Sequence, residues 1–156
     1  MAKLQQLIAI ILMFFVGFFT SHLFDGVLAT EGQGGIDVAS PSDHITEDQI
    51  RVYDDKVIIN VEGAQWANFA DTNSMDPFLD AGSNALQLVP TSPEDIKVGD
   101  IITYKYGDER IIHRVVYIGE DEKGIYYIVK GDNNPTSDPG KVRFDQIDRV
   151  LFGIIY

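Results

Sequence analysis

Residues 101–118 read IITYKYGDERIIHRVVYI, two runs of β-branched and aromatic residues on either side of the turn signal Gly107-Asp108. Short runs of this composition separated by a glycine-containing turn are typical of two antiparallel strands joined as a hairpin. We therefore predict strands over residues 101–104 and 111–118. The second predicted strand carries His113.

Runs of the same kind recur along the chain and extend this prediction. They cover residues 57–61, 85–89 and 125–129. Turn signals rich in Gly, Asn, Asp and Pro separate the runs, at residues 82–84, 98–100, 122–124, 131–135 and 138–140. Helical candidates in this part of the chain are short, near residues 46–50 and 144–147. The pattern predicts a mainly β domain with antiparallel strands.

The length and composition limit the number of domains and the kinds of partner and site that the chain can have. Its 156 residues, 45% of them hydrophobic, suffice for one domain with one sizeable core. A formal net charge of −12 opposes binding to phosphate backbones, so nucleic acid is not an expected partner. The absence of cysteine excludes disulfides, thiolate metal ligands and a cysteine nucleophile. With three histidines, a multi-histidine metal centre is hard to assemble.

The N-terminal stretch Leu4–Phe24 contains no Asp, Glu, Lys or Arg. It is close in length to the roughly 20 residues that span the hydrocarbon core of a bilayer, which predicts a transmembrane helix. Lys3 precedes this stretch, whereas Asp25 and Glu31 follow it. The positive-inside bias therefore predicts a cytoplasmic N-terminus and places the rest of the chain outside.

Two other interpretations of the N-terminus stay open. Residues 1–29 also fit a cleavable signal peptide, with Lys3 as the charged start, residues 7–19 as the apolar region and Val27-Leu28-Ala29 as the cleavage site. This alternative exports the rest of the chain in the same way. A buried core helix is disfavoured because the segment lacks a polar face.

The predicted organisation has three parts. Residues 1–29 form the anchor, or an uncleaved signal segment, and residues 30–44 are a Gly- and Pro-containing flexible linker. Residues 45–156 form the extracytoplasmic domain. Its acidic charge should keep it away from an anionic membrane surface.

The candidate chemistry centres on His113, because His44 lies at the edge of the linker and His22 in the predicted anchor. A serine nucleophile needs an adjacent base, and an imidazole base needs a carboxylate that fixes its tautomer. Ser74, just before Asp76-Pro77, lies in an irregular segment that suits an exposed nucleophile.

Each of these residues also has an ordinary structural interpretation. A lone histidine in an apolar strand usually satisfies its nitrogens locally, and a serine before a proline turn is common in loops. Asp132 and Asp138, in the loop after the next strand, lie in Asp-Asn-Asn-Pro and Asp-Pro-Gly, which are common loop sequences.

Four short motifs occur in order, at residues 74–77 (SMDP), 96–104 (IKVGDIITY), 113–116 (HRVV) and 130–134 (KGDNN), with Asp138 six residues after Asp132. In this order, and behind one N-terminal apolar segment, they resemble the motif boxes of type I signal peptidases. The resemblance covers roughly residues 70–156. His113 stands where the bacterial Ser/Lys branch has a lysine, so the sequence is similar to the archaeal and endoplasmic-reticulum Ser/His branch.

The resemblance implies a role for five residues. Ser74 matches the nucleophile and His113 the general base, while Asp132 and Asp138 match the two loop aspartates of the histidine branch. Which aspartate orients His113 is left open. Thr72 occupies the position of a hydroxyl that helps the nucleophile's backbone N–H form the oxyanion hole.

The resemblance further implies a membrane-anchored, single-pass serine endopeptidase that removes N-terminal signal peptides from exported precursors. Small side chains are expected at the first and third positions before the cut, and no cofactor or metal is expected. The partners are then precursor proteins and, through the N-terminal helix, the lipid bilayer. The sequence identifies no accessory subunit. Phe78, after Pro77, departs from the family pattern of a small or hydroxyl residue there, and we expect it to reshape the substrate pocket.

Two alternatives remain to the peptidase. One is a catalytically inactive or specialised relative that binds exported polypeptides at the membrane surface. The other is a secreted structural β domain whose motifs arise by chance. The presence of Ser74, His113, Asp132 and Asp138 together argues against the first alternative, because a binding module has no need for a base aligned with a hydroxyl.

Overall fold

The computed structural model describes residues 38–156, and strands dominate this part of the chain. The strands are β1 (Ile50–Val52), β2 (Val57–Ile59), β3 (Gln65–Asn68), β4 (Asn84–Leu88), β5 (Ile101–Tyr106), β6 (Glu109–Asp121), β7 (Gly124–Lys130) and β8 (Ile147–Ile155). Three 3-10 helices cover Glu47–Gln49, Pro93–Asp95 and Phe144–Gln146. The predicted mainly β, antiparallel class is confirmed.

The predicted anchor, residues 1–29, lies outside the described residues, as does the first part of the predicted linker. Within residues 38–156 no helix has the length and apolar character needed to cross a bilayer. The compact unit in this part of the chain begins at Val38.

Six of the strands form one antiparallel sheet in the order β3-β4-β8-β5-β6-β7, while β1 and β2 pair separately. The predicted hairpin is confirmed as β5–β6, with Tyr106 opposite Glu109 and a two-residue turn between them. Gly107 in that turn has φ of 62°, which a glycine adopts without steric cost. This register places His113 directly opposite Ile102.

Apolar side chains pack on both faces of this sheet. Ile101 belongs to a small buried cluster with Met75 and Leu79, whereas its neighbour Ile102 belongs to a larger cluster with Tyr104. Successive strand residues point to opposite faces, so β5 contributes to both clusters. Met75 and Leu79 therefore anchor the loop that carries Ser74 to the sheet.

Residues 38–44, which the sequence analysis assigned to the linker, contact the domain at the start of β5. The backbone N–H and the hydroxyl of Ser42 both donate to Asp100 Oδ1 at 2.7 Å. His44 Nε2 lies 3.2 Å from Asp100 Oδ2. A hydrogen bond to the buried Asp100 carboxylate raises the pKa of His44 above its ordinary value.

Candidate active site

Ser74 lies in an irregular loop between β3 and β4 that two features hold in place. The preceding residue, Asn73, has φ of 56°, a left-handed conformation that asparagine tolerates better than most residues. The following residue, Met75, is fully buried. The left-handed turn and the buried methionine together leave Ser74 half-buried at the surface of the sheet.

His113, on β6, lies between the serine and a carboxylate. Its Nε2 is 3.2 Å from Ser74 Oγ, and its Nδ1 is hydrogen-bonded to Asp138 Oδ2. Because a carboxylate accepts, Nδ1 carries the proton in the neutral ring and Nε2 is left free to accept one from the serine hydroxyl. The His113 side chain is 8% exposed, so little water competes for its nitrogens.

Asp138 reaches His113 from the loop after β7. Its backbone N–H donates to Val129 O at 2.9 Å, which fixes the chain beside the end of β7. Its Oδ2 also accepts a 2.5 Å hydrogen bond from the Tyr104 hydroxyl. Burial and the negative charge of Asp138 raise the pKa of Tyr104 far above its usual range.

Asp132 occupies a different place. Both of its carboxylate oxygens pair with Arg114, at 2.7 Å from Nε to Oδ1 and 2.6 Å from Nη2 to Oδ2. Arg114 also donates to the carbonyl oxygens of Gly99 at 2.8 Å and Ala39 at 3.2 Å. Of the two loop aspartates, the structure therefore brings Asp138 to His113 and pairs Asp132 with the neighbouring arginine.

The loop that contains Asp132 also supports the serine loop from behind. Asn133 donates its backbone N–H to Ser74 O and its side-chain amide to Asn73 O, each at 3.0 Å. At Gly131 a Cβ would lie 2.6 Å from Ser74 O, closer than a real Cβ can approach. The two loops can therefore approach this closely only with a glycine at position 131.

Thr72 and Phe78 flank the serine on either side in sequence. The Thr72 hydroxyl lies 3.3 Å from Ser74 Oγ and is exposed. Phe78 is 52% exposed and is not among the residues that line the cleft beside Ser74. The influence of Phe78 on the substrate pocket stays a prediction.

A cleft of about 730 Å³ opens beside Ser74 and His113. The whole of β3 lines one side of it, and β3 is an edge strand of the six-stranded sheet. Its floor includes Gln87, which is buried and donates to the Thr103 hydroxyl at 2.8 Å. Within residues 38–156 β3 pairs with β4 alone, so the cleft combines the outer edge of β3 with a polar floor.

Sequence analysis assigned no role to two residues of this cluster, Tyr104 and Arg114. Both lie inside motifs that were recognised. For Tyr104, the register of the predicted hairpin was the signal that could have shown its place. A two-residue turn at Gly107-Asp108 places Ile102 opposite His113, and Tyr104 lies on the same face two residues later. The register could therefore have shown that Tyr104 lies close to His113.

Comparison with known proteins gives a partial match. An uncharacterized protein of Methanocaldococcus jannaschii is 35% identical over 75 residues, which is 47% of this chain. The signal peptidase complex catalytic subunit SEC11C of Homo sapiens and that of Canis lupus familiaris are each 35% identical over 72 residues, 44% of this chain. In each case the matched region spans 37% of the relative's length. No family model matches the chain. No solved structure matches it either.

The geometry defines a class of chemistry. A serine hydroxyl bonded to a neutral imidazole, whose other nitrogen is held by a carboxylate, is the arrangement that activates serine for acyl transfer. The comparisons add a loose similarity to signal peptidases. The similarity covers less than half of the chain and by itself does not assign a reaction to this site.

Proposed function

We propose that this chain is a membrane-anchored serine endopeptidase that removes N-terminal signal peptides from exported precursor proteins. One observation carries the proposal: the hydrogen-bonded series Ser74 Oγ, His113 Nε2, His113 Nδ1 and Asp138 Oδ2 at the wall of an open cleft. The similarity to a signal peptidase catalytic subunit supports the choice of substrate class.

In the proposed reaction Ser74 Oγ attacks the carbonyl carbon of the scissile peptide bond, and His113 Nε2 takes the hydroxyl proton. His113 then gives this proton to the leaving amine, which departs and leaves an ester on Ser74. A water molecule, deprotonated by the same nitrogen, then attacks the ester carbonyl carbon. The bond from that carbon to Ser74 Oγ breaks, His113 returns the proton to Oγ, and the signal peptide leaves with a new C-terminal carboxylate. Asp138 stabilises the imidazolium that forms in each half of the cycle.

The tetrahedral intermediate of this reaction has a negatively charged oxygen that needs hydrogen-bond donors. The proposed donors are the backbone N–H of Ser74 and the hydroxyl of Thr72. The distance of 3.3 Å between the Thr72 and Ser74 hydroxyls supports a role close to the reacting atoms. Removal of one such donor typically costs about 10²–10³ in kcat.

The substrate is proposed to bind as an extended strand along β3. An edge strand offers unpaired backbone groups to a peptide, and Gln65–Asn68 all line the cleft beside Ser74. Signal peptides with small residues before the cut fit this mode, because the peptide backbone then supplies most of the contacts. Anchoring through residues 1–29 would hold the site near membrane-bound precursors and raise their local concentration.

The test uses full-length protein in detergent and a precursor with an Ala-x-Ala site, with product masses read by mass spectrometry. The parent should cut after the second alanine, and Ser74→Ala should not. Ser137→Ala is the matched control, because Ser137 is an exposed serine in the loop of Asp138 and should keep full activity. If parent and Ser74→Ala both bind the precursor and neither cuts it, the chain is a binding module and the proposal is wrong.

A further inference from the structure

We propose that Tyr104 is a positioning residue of the active site, whose hydroxyl fixes and polarises the carboxylate that holds His113. This inference rests on the proposed function, since it assigns Tyr104 a part in the same reaction. It concerns a residue that is not among those lining the cleft.

The first support is the geometry at one oxygen atom. Asp138 Oδ2 accepts hydrogen bonds from both His113 Nδ1 and the Tyr104 hydroxyl, the latter at 2.5 Å. Two donors directed at a single oxygen determine the rotation of the carboxyl group. With only one donor, the carboxylate could turn and offer its other oxygen, and the imidazole would lose its fixed orientation.

The second support is how firmly the tyrosine itself is held. Tyr104 is 1% exposed and belongs to the larger buried cluster, on a strand paired on both sides. A buried hydroxyl needs a hydrogen-bond partner, and Asp138 is the partner here. The hydroxyl is therefore placed by the core of the domain, while Asp138 lies on a loop whose side chain could otherwise move.

The third support is the charge state of the hydroxyl. Burial and the carboxylate of Asp138 keep the pKa of Tyr104 far above its ordinary value. The titratable groups facing this hydroxyl are Asp138, His113 and, at longer range, Tyr106. The hydroxyl therefore stays protonated at neutral pH and keeps donating its hydrogen bond to the Asp138 carboxylate.

Removal of the hydroxyl has a consequence that a purely structural tyrosine would not show. Without the second donor, the Asp138 carboxylate keeps more negative charge and holds a proton on His113 more strongly. The acid limb of the rate profile should then move to higher pH. Loss of orientation should lower kcat by about ten- to a hundredfold, with KM little changed because Tyr104 does not line the cleft.

Tyr104→Phe removes only the hydroxyl and keeps the ring, and Tyr127→Phe is its matched control. Tyr127 is equally buried in the same cluster, but its hydroxyl donates to Pro93 O at 3.0 Å. Full-length parent and both variants are assayed for kcat and KM against pH with an Ala-x-Ala precursor. We expect the kcat loss and the shifted acid limb in Tyr104→Phe alone. An equal effect in both variants, or a loss of rate with no shift, would overturn the inference.

A second readout separates this inference from the proposed function. The ring C–H signals of His113 are followed by NMR against pH in the full-length proteins, with His44→Gln and His22→Gln used for assignment. The His113 transition should move to higher pH in Tyr104→Phe and stay in place in Tyr127→Phe. If the parent cuts no precursor, the proposed function fails while this titration still tests Tyr104. An unmoved His113 transition shows that Tyr104 has no such role.

Discussion

Under the proposed function, Asp138→Asn should abolish precursor cleavage while the domain stays folded. Asp132→Asn should instead lower the free energy of unfolding and leave cleavage per folded molecule largely unchanged. The two aspartates are six residues apart and looked equivalent in the sequence. In the folded domain Asp138 bonds to His113, while Asp132 forms a two-bond ion pair with Arg114. The same chemical change at the two positions therefore separates catalysis from stability.

The expected loss of kcat in Asp138→Asn follows from the two ways in which an asparagine amide can face His113. If its oxygen faces Nδ1, the tautomer is kept but the negative charge beside the imidazolium is lost. If its NH2 group faces Nδ1, that nitrogen must accept, so Nε2 carries the proton and can no longer take one from Ser74. The two cases span a loss of about 10²–10⁴ in kcat, or about 2.7–5.4 kcal/mol in activation free energy.

The expected loss in the free energy of unfolding of Asp132→Asn follows from the burial of the ion pair. The side chains of Arg114 and Asp132 are 7% and 8% exposed, so a lone arginine left there would be a buried unpaired charge. Breaking such a pair typically costs about 3–5 kcal/mol, and an asparagine that retains one hydrogen bond should lie at the lower end. Arg114 also donates to Gly99 O and Ala39 O, which limits its freedom to turn toward solvent.

The assay measures denaturant unfolding and precursor cleavage on the same preparations of full-length protein. Cleavage is expressed per folded molecule, so that a loss of stability is not counted as a loss of catalysis. The free energy of unfolding of Asp138→Asn should lie within about 1 kcal/mol of the parent's, while its cleavage should be far slower. An active Asp138→Asn beside a stable, inactive Asp132→Asn would refute the assignment of the orienting carboxylate.

Three further predictions use the same protein. Gly131→Ala should lower the free energy of unfolding by about 1–3 kcal/mol and slow cleavage, because the new Cβ would lie 2.6 Å from Ser74 O and must displace the serine loop. Denaturant unfolding measures the first effect and the cleavage rate the second. A variant unchanged in both would contradict the close approach. Asp100 raises the pKa of His44, so the contact between them stabilises the domain fully below about pH 6.5, the unfolded pKa. This stabilisation is lost as the pH rises through the higher pKa that His44 has in the folded domain. As the pH rises from about 6.5 through that pKa, the denaturant midpoint should fall by more in the parent than in His44→Gln. His113→Lys should cleave no precursor at any pH tested, because the neighbouring carboxylate keeps a lysine charged; restored cleavage would contradict the proposed histidine base.

Several parts of the fold could be predicted because their signals are local. The hairpin of residues 101–121 combines β-branched runs with a two-residue glycine turn, and both features act within a few residues. The two short helical candidates form 3-10 turns near the predicted positions. Ser74 and His113 could be singled out as candidates, since His113 is the one histidine on a predicted strand and Ser74 lies just before Asp76-Pro77. Their roles as nucleophile and base came from the resemblance of the four motifs to type I signal peptidases.

Other strands could not be predicted from the sequence, because their conformation depends on pairing with strands distant in the chain. β8 (Ile147–Ile155) was not predicted, yet it lies between β4 and β5 near the middle of the sheet. Its sequence mixes charged and apolar residues with a glycine, so no clear period-two pattern marks it. β3 (Gln65–Asn68) is likewise short and mostly exposed, and its pairing with β4 is what makes it a strand.

The sequence by itself determined the chemical groups of the candidate site: a serine, a single strand histidine and two loop aspartates within reach. Only the tertiary structure decided which carboxylate meets the imidazole. Asp132 and Asp138 have the same side chain and lie in the same loop, and the sequence around each does not say which basic group it will meet. The distinction arises because Arg114 pairs with Asp132, while the backbone bond of Asp138 to Val129 O and the hydroxyl of Tyr104 hold the other carboxylate against His113. These contacts join residues far apart in the chain, and they exist only once the sheet has formed.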